Sequence, residues 1–133
     1  TLKDDETGEP FHVQQRKQIE AYREEWAQHG HDYAPRVSVS RSIFAITNDT
    51  DRKYFLGGAD RDDQFGVIGG IRSVFGRSYA DEPEALIEQL RQDEAIAAAD
   101  TLLLTVPNQL GVEYNAHVIE AILTQVAPAL GWR

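Results

Sequence analysis

The sequence predicts an α/β fold built on about three parallel strands with helices. Three observations predict it. Helix-period segments alternate along the chain with short apolar stretches of strand length. The segment Thr101–Val106 is almost wholly apolar and is stopped by Pro107, as suits a strand inside a parallel sheet. The segment from Arg36 to Thr47 also becomes apolar on both faces toward its end, which favours burial on two sides.

The first ten residues are polar and turn-rich and read as a loop. From Phe11 to about Gln28 the pattern turns helical. Ile19, Tyr22 and Trp26 make one apolar stripe at spacings of three and four, and Gly30 supplies a C-terminal stop. Pro35 prepares extended chain. In the strand that follows, Val37, Val39, Arg41, Ile43 and Ala45 point one way. Ser38, Ser40, Ser42, Phe44 and Ile46 point the other, the serines read as small residues packed beneath a helix.

Residues 51–79 hold six of the chain's ten glycines: Gly57, Gly58, Gly66, Gly69, Gly70 and Gly76. That density predicts loops and short helical turns able to move, with a short strand near Phe75–Ala80. A second helix opens at Asp81-Glu82-Pro83-Glu84, where Asp81 can cap and Pro83 sits in the first turn. Leu86, Ile87, Leu90, Ile96 and Ala97 carry its buried face toward Asp100. After the strand at 101–106, a last helix spans about Gly111 to Ala127. Val112, Ala116, Ile119, Ile122, Leu123 and Val126 face inward, and Pro128 and Gly131 end it. No linker divides the 133 residues, so they read as one domain piece.

A net charge of −9 without a basic cluster argues against nucleic acid and against anionic membrane surfaces as partners. There are no cysteines, which removes disulfides and thiolate metal sites, and the four histidines are too scattered to indicate a metal. With no signal-peptide pattern and no span-length apolar run, the cytoplasm is the expected compartment.

Several segments, taken in order, resemble a known family. The stretch A-D-E-P-E-A-L-I-E-Q-L, then A-D-T-L-L-L-T-V-P-N-Q-L-G, closing on V-A-P-A-L, resembles the end of luciferase-like, flavin-dependent monooxygenases. There a V-G-x-P-x-x-V-A-type turn, a final apolar strand and a last helix ending near V-x-P-x-L follow one another. The segment I-T-N-D-T-D resembles the exit of that family's sixth strand, and A-Q-H-G-H-D the end of its fifth helix. Ala80 stands where the family usually has glycine.

The resemblance implies the C-terminal part of an eight-stranded β/α (TIM) barrel, comprising its last three units and one preceding helix. Such a barrel normally takes about 250 residues, so the chain is expected to be a C-terminal portion, inactive by itself and prone to self-association. The implied function is that of a flavin-dependent oxidoreductase of the monooxygenase type. Its cofactor would be FMN or a deazaflavin, and its substrate a small organic molecule.

Ligands in such barrels sit at the carboxyl ends of the strands, here at Thr47-Asn48-Asp49, Ser78-Tyr79-Ala80 and Val106-Pro107-Asn108. Asn48 lies where the family places a polar or cationic substrate contact; it equally suits a cap on a following helix. Asn108 lies at the third strand exit. Arg72 and Arg77 fall in residues 51–79, where the family carries a mobile lid, and a guanidinium there could hold a phosphate or sulfonate. A surface role is the leading reading for Arg72, and for Arg77 an ion pair to Asp81 or Glu82 is as good. The alternative to an oxidoreductase portion is a small stand-alone α/β module whose open sheet pairs with itself or with another protein.

Overall fold

The computed structural model describes residues 2–4, 7–56 and 62–132. The first long element, α1 (Phe11–Gln28), has the bounds its periodicity predicts, and Gly30 follows it with φ +65°. Its buried residues are Phe11, Gln14 and Ile19, whereas Tyr22 is exposed. The helix lies on the sheet mainly through its first half, so the apolar stripe is only partly used. Pro10 offers no side-chain cap, and the Asp63 carboxylate supplies one from a distance, accepting the Phe11 N–H at 2.6 Å.

The predicted strand at 36–47 forms as two paired stretches, β2 (Ser38–Arg41) and β3 (Ile43–Ala45), interrupted at Ser42. Each has a parallel partner. β2 pairs with β7 (Thr101–Leu104), Ser38 opposite Thr101 and Arg41 opposite Leu104. β3 pairs with β6 (Tyr79–Asp81), Ile43 opposite Tyr79 and Ala45 opposite Asp81. The two partners lie at opposite edges. Carbonyls of the odd residues Val37 and Arg41 accept from Thr101 and Thr105, while the carbonyl of the even residue Ser42 accepts from Tyr79. Burial of Val39, Arg41, Ile43 and Ala45 continues in step through Ser42, so the alternation is unbroken.

The spatial order is therefore β7, β2/β3, β6, with the first of these segments in the centre. A β/α barrel winds its strands consecutively, which would put the second between the first and third. The mixed α/β class and the three parallel segments are present; the order among them is that of an open sheet.

Helices cover one face of these strands. Ile43 and Ala45 pack with Leu86 and Leu90 of α3 (Pro83–Arg91, numbered after the short α2 turn at Asp49–Asp51) and with Ile122 and Val126 of the last helix. Val39 packs with Ile19 and with Ala95 of α4 (Glu94–Ala98). The other face is open. Ser38, Ser40 and Thr105 are exposed and Leu103 is 53% exposed. Ser38 and Ser40 are thus not covered by a helix and β2 is open on this side, whereas toward the strand's end Phe44 stacks on Phe55 and Ile46 is buried, so burial on both sides holds only there. Ser40 and Thr105 instead bond to one another across that face, Oγ to Oγ1 at 3.2 Å.

The glycine-rich segment differs most from its expectation. It contains an antiparallel hairpin, β4 (Gln64–Ile68) and β5 (Ile71–Phe75), turned at Gly69-Gly70 with φ +57° and +82°. Positive φ at both central residues is the hairpin turn whose twist matches the flanking strands, and glycine enters it without a steric cost. Leu2–Lys3, expected as loop, forms β1 and pairs with Val74 and Ser73. Gly57 and Gly58 lie outside the described residues.

Two helices also break differently from the pattern. The one expected to run to Asp100 divides at Gln92-Asp93, where Asp93 caps α4 through the Ala95 and Ile96 N–H groups at 3.0 and 2.9 Å. Asp81 does not cap α3, whose N-cap is Glu82 without a side-chain bond; Asp81 accepts from the Glu82 N–H instead. The last helix begins as α5 (Gly111–Ala121), widens into a π-turn at Ile122–Val126 and ends as α6 (Ala127–Leu130) before Gly131 at φ +69°. Pro128 lies in the first turn of α6 and does not terminate the helix. The buried face is Val118, Ala121, Ile122 and Val126, and Val112, Ile119 and Leu123 are exposed. The π-turn shifts the stripe, as an inserted residue must. Among the described residues no helix is long and apolar enough to cross a membrane.

Candidate functional site

Where β3 ends, the chain enters the α2 turn (Asp49–Asp51), which continues as a π-turn over Arg52–Leu56. Asn48 starts it in extended conformation, its Oδ1 accepting the N–H groups of Thr50 and Asp51 at 2.8 and 2.9 Å. This cap turns Asp51 back beneath the strand exit, where its side chain is 1% exposed.

Asp51 is the hub of a polar cluster. It accepts from the Thr47 N–H at 2.9 Å and the Thr47 hydroxyl at 2.8 Å. It also accepts from the Tyr114 hydroxyl and from His117 Nε2, the latter at 2.9 and 3.1 Å to its two oxygens. Tyr114 and His117 stand one turn apart on α5 and so share a face. Burial pushes the Asp51 carboxyl up, but donation by Tyr114, Thr47 and His117 outweighs it, leaving Asp51 below the ordinary carboxylate range. Burial and the bond to Asp51 raise the Tyr114 phenol, so it stays protonated and donates.

A carboxylate facing Nε2 at these distances fixes the imidazole proton on that nitrogen. The Asn48 Nδ2 also lies 3.2 Å from Nε2, its own oxygen being committed to the turn. The His117 side chain is 35% exposed, while the carboxylate that orients it is enclosed.

Beside the cluster is an open cleft of ≈ 400 Å³ lined by Phe44, Tyr54, Phe55, Ser78, Pro107, Gln109 and Leu110. Phe44 comes from the open face of the sheet and stacks on Phe55, centroids 4.1 Å apart and planes within 2°. Tyr54 meets Tyr114 edge-on at 5.2 Å, joining cleft and cluster. An apolar, aromatic cleft with a few convergent polar groups is the usual form of a small-molecule site.

Of the residues singled out in the sequence, Asn48 belongs to this cluster and is also the helix cap of the rival reading. Asn108 begins the short 3-10 turn Asn108–Leu110 beside the cleft and is exposed. The two arginines are elsewhere. Arg72 is on the hairpin, paired with Asp4 at 2.8 Å and lying over the Phe65 ring. Arg77 donates to Gln89 Oε1 at 2.7 Å and covers the Tyr79 ring, rather than pairing with Asp81 or Glu82. Glu82 is taken by Arg52, and Asp81 accepts from Gln89.

Asp51, Tyr114 and His117 were not singled out. The signals were slight: an Asx cap three residues before an acid, and an aromatic and a histidine at i, i+3 on one helix. Comparison of the chain with protein-family models, with curated proteins and with solved structures returns no match.

Proposed function

We propose that this chain is the C-terminal part of a luciferase-like, flavin-dependent oxidoreductase of the monooxygenase type, incomplete as a catalyst by itself. The observation that carries the reading is the one-sided sheet. Parallel strands ordinarily have both faces covered, yet here the face bearing Ser38, Ser40, Leu103 and Thr105 is open. The polar cluster and aromatic cleft gather near the carboxyl ends of β3 and β7, where β/α enzymes bind ligands. In the complete protein the open face would look into a β/α barrel, and the edge of β2 that β7 occupies here would pass to the preceding barrel strand. FMN or a deazaflavin would supply the redox chemistry. This chain would contribute an aromatic wall and the Asn48–Asp51–His117 corner of the pocket for a small organic substrate. The cytoplasm is the compartment such chemistry would use.

Flavin binding tests the reading. The 133-residue chain and the product of its extended upstream reading frame are each titrated with FMN and with a deazaflavin, following fluorescence quenching. The extended product is expected to bind and the short chain not to. Tight binding of flavin by the short chain as a monomer would overturn the proposal.

The strand order favours a second reading, a small stand-alone α/β interaction module. An open-sheet order with the first segment central needs no further strands to exist. Failure of the extended product to bind either flavin, with the short chain forming a defined oligomer, would favour this module.

A further inference from the structure

We infer that the outer edge of β4 is a contact between two copies of this chain, β4 pairing antiparallel with β4 of the second copy about a two-fold axis at Gly66.

The direction of the main-chain groups comes first. β4 is the last strand in the order β1-β5-β4, with no strand described on its far side. The Arg72 carbonyl accepts from the Asp4 N–H at 3.0 Å, so the main-chain groups of Arg72 point toward β1 and away from β4. Val67 stands opposite Arg72, and Phe65 stands opposite Val74. Opposed residues of an antiparallel ladder alternate between bonded and non-bonded pairs, so Val67 and Phe65 also turn their N–H and C=O groups away from β5. Those groups line the outer edge as a template for another strand.

The charge pattern selects a second copy as the occupant. Exposed edges are commonly guarded by a lysine, another charge or a proline. From Gln64 to Ile71 the chain has none of these, and Phe65 and Val67 are 56% and 72% exposed. Two copies that each carry a net charge of −9 repel one another, so they meet most easily where acids are absent. The nearby Arg72 is paired with Asp4 and lies over the Phe65 ring, which leaves this face without an unpaired cation for an acidic partner to seek.

Pairing centred on Gly66 sets Phe65 of each copy opposite Val67 of the other. Each outward N–H then meets an outward carbonyl, and an aromatic ring lies beside a β-branched side chain on both sides of the axis. Asp62 and Asp63 fall opposite the turn glycines Gly70 and Gly69 of the second copy, so no acid faces an acid. Slipping by two residues in one direction sets Asp63 against Val67, and in the other it sets Phe65 against Gly69. The contact is self-complementary and occupies both edges, so it closes at a dimer. It lies on a different sheet from Leu103, and growth beyond two copies has to use another surface.

Sedimentation and amide exchange are followed together as the wild-type chain is concentrated at physiological salt, where its charge is screened. A dimer is expected, with the Phe65 and Val67 amides slowing several-fold in step with its formation. The amides of Leu102 and Leu104 on β7 are expected to stay unchanged. Filtered spectra of mixed labelled and unlabelled chain should show the Phe65 ring of one copy against the Val67 methyl groups of the other. Val67→Lys is expected to abolish the dimer, whereas Leu103→Lys keeps it and loses only larger species. A wild-type chain that stays monomeric to millimolar concentration, or that associates while Phe65 and Val67 exchange as in dilute solution, overturns the inference whether or not Val67→Lys folds. No readout here involves flavin, so failure is separate from failure of the flavin-binding reading.

Discussion

Arg41 donates through Nε and Nη2 to the two oxygens of Asp93, at 2.7 and 3.0 Å, across 52 residues of sequence and with side chains 2% and 0% exposed. The pair joins the central strand to the start of α4. Asp93 also accepts from the Tyr79 hydroxyl at 2.8 Å and from two backbone N–H groups, so its lone pairs are well satisfied. A buried pair of this kind stabilises little relative to an apolar substitute but is costly to break on one side. Asp93→Ala would leave a buried guanidinium without its anion, a buried phenol without an acceptor and a helix without its cap. A loss of about 3–5 kcal/mol is expected, read as a large drop in the urea midpoint. A loss under about 1 kcal/mol would mean the pair is wetter than its enclosure indicates.

Acid should weaken the fold through Asp93 and Asp51 together. Burial pushes the Asp93 carboxyl up, but the bonds and charge of Arg41, with help from Ile96 and Tyr79, bring it below the ordinary range. Asp51 is lowered through its own donors. A group depressed in the folded state contributes stability above its unfolded value, near 3.8 for these carboxyls, and loses it as pH falls toward the folded value. Stability measured by urea unfolding is therefore expected to hold from neutrality to about pH 5 and to decline below it. Asp51→Asn should flatten that decline by up to about one proton's worth of slope. An unchanged slope would show that Asp51 titrates alike in both states.

The elements that local periodicity controls are legible in the sequence: α1 at 11–28, a strand within 36–47 that forms at 38–41 and 43–45, a strand within 101–106 that forms at 101–104, and the helix from 111. The site was half legible. Asn48 stands out because a strand exit followed by polar residues is a local pattern. Asp51, Tyr114 and His117 do not, since their meeting depends on α5 packing 63 to 66 residues away in sequence. Strand alternation puts Arg41 on the same side as Val39 and Ile43, but its partner Asp93 lies hidden in what reads as one helix. The hairpin was missed for a physical reason. Glycines at 69 and 70 that suggest irregular chain also supply the two positive φ angles of a tight turn.

That turn gives a local prediction. Gly69→Ala with Gly70→Ala forces two side chains into left-handed backbone, at roughly 1–2 kcal/mol for each residue. Gly69→Asn with Gly70 kept should be far milder, because asparagine and glycine suit this turn type. Amide exchange of Phe65–Ile68 and Ile71–Val74 would accelerate in the first variant and stay near wild type in the second. Equal acceleration in both would argue that the turn does not set the register.

Gly76 should be less forgiving than its position between strands suggests. A Cβ there would meet the Phe11 ring at 2.8 Å, and Phe11 is buried with its N–H tied to Asp63. Asp63 also accepts from the Arg77 N–H at 3.2 Å, so the ring and the strand exit are fastened to the same carboxylate. Gly76→Ala must then displace the first turn of α1 instead of swinging a free side chain aside, and an overpacking loss of about 1–3 kcal/mol is expected. Asp63→Ala in the same background should relieve part of it, since the helix start would be free to move. Additive losses in the double variant would show that the ring yields without help from the cap.

The open sheet face should govern association. Leu103 projects from it at 53% exposure, and β7 has one edge paired with β2 and no strand described on the other. An unpaired edge beside apolar surface invites another chain, while a net charge of −9 keeps chains apart. The balance should move with ionic strength, because salt screens the repulsion and leaves the apolar contact. Sedimentation is expected to show monomer at low salt and larger species as salt rises, with binding of an apolar dye in the monomer. Leu103→Lys would place a charge on the strand without disturbing the covered face, reducing both dye binding and association. A chain that remains monomeric at all salt concentrations and binds no dye would show that the face is closed in solution, and the case for missing barrel strands would lose its main support.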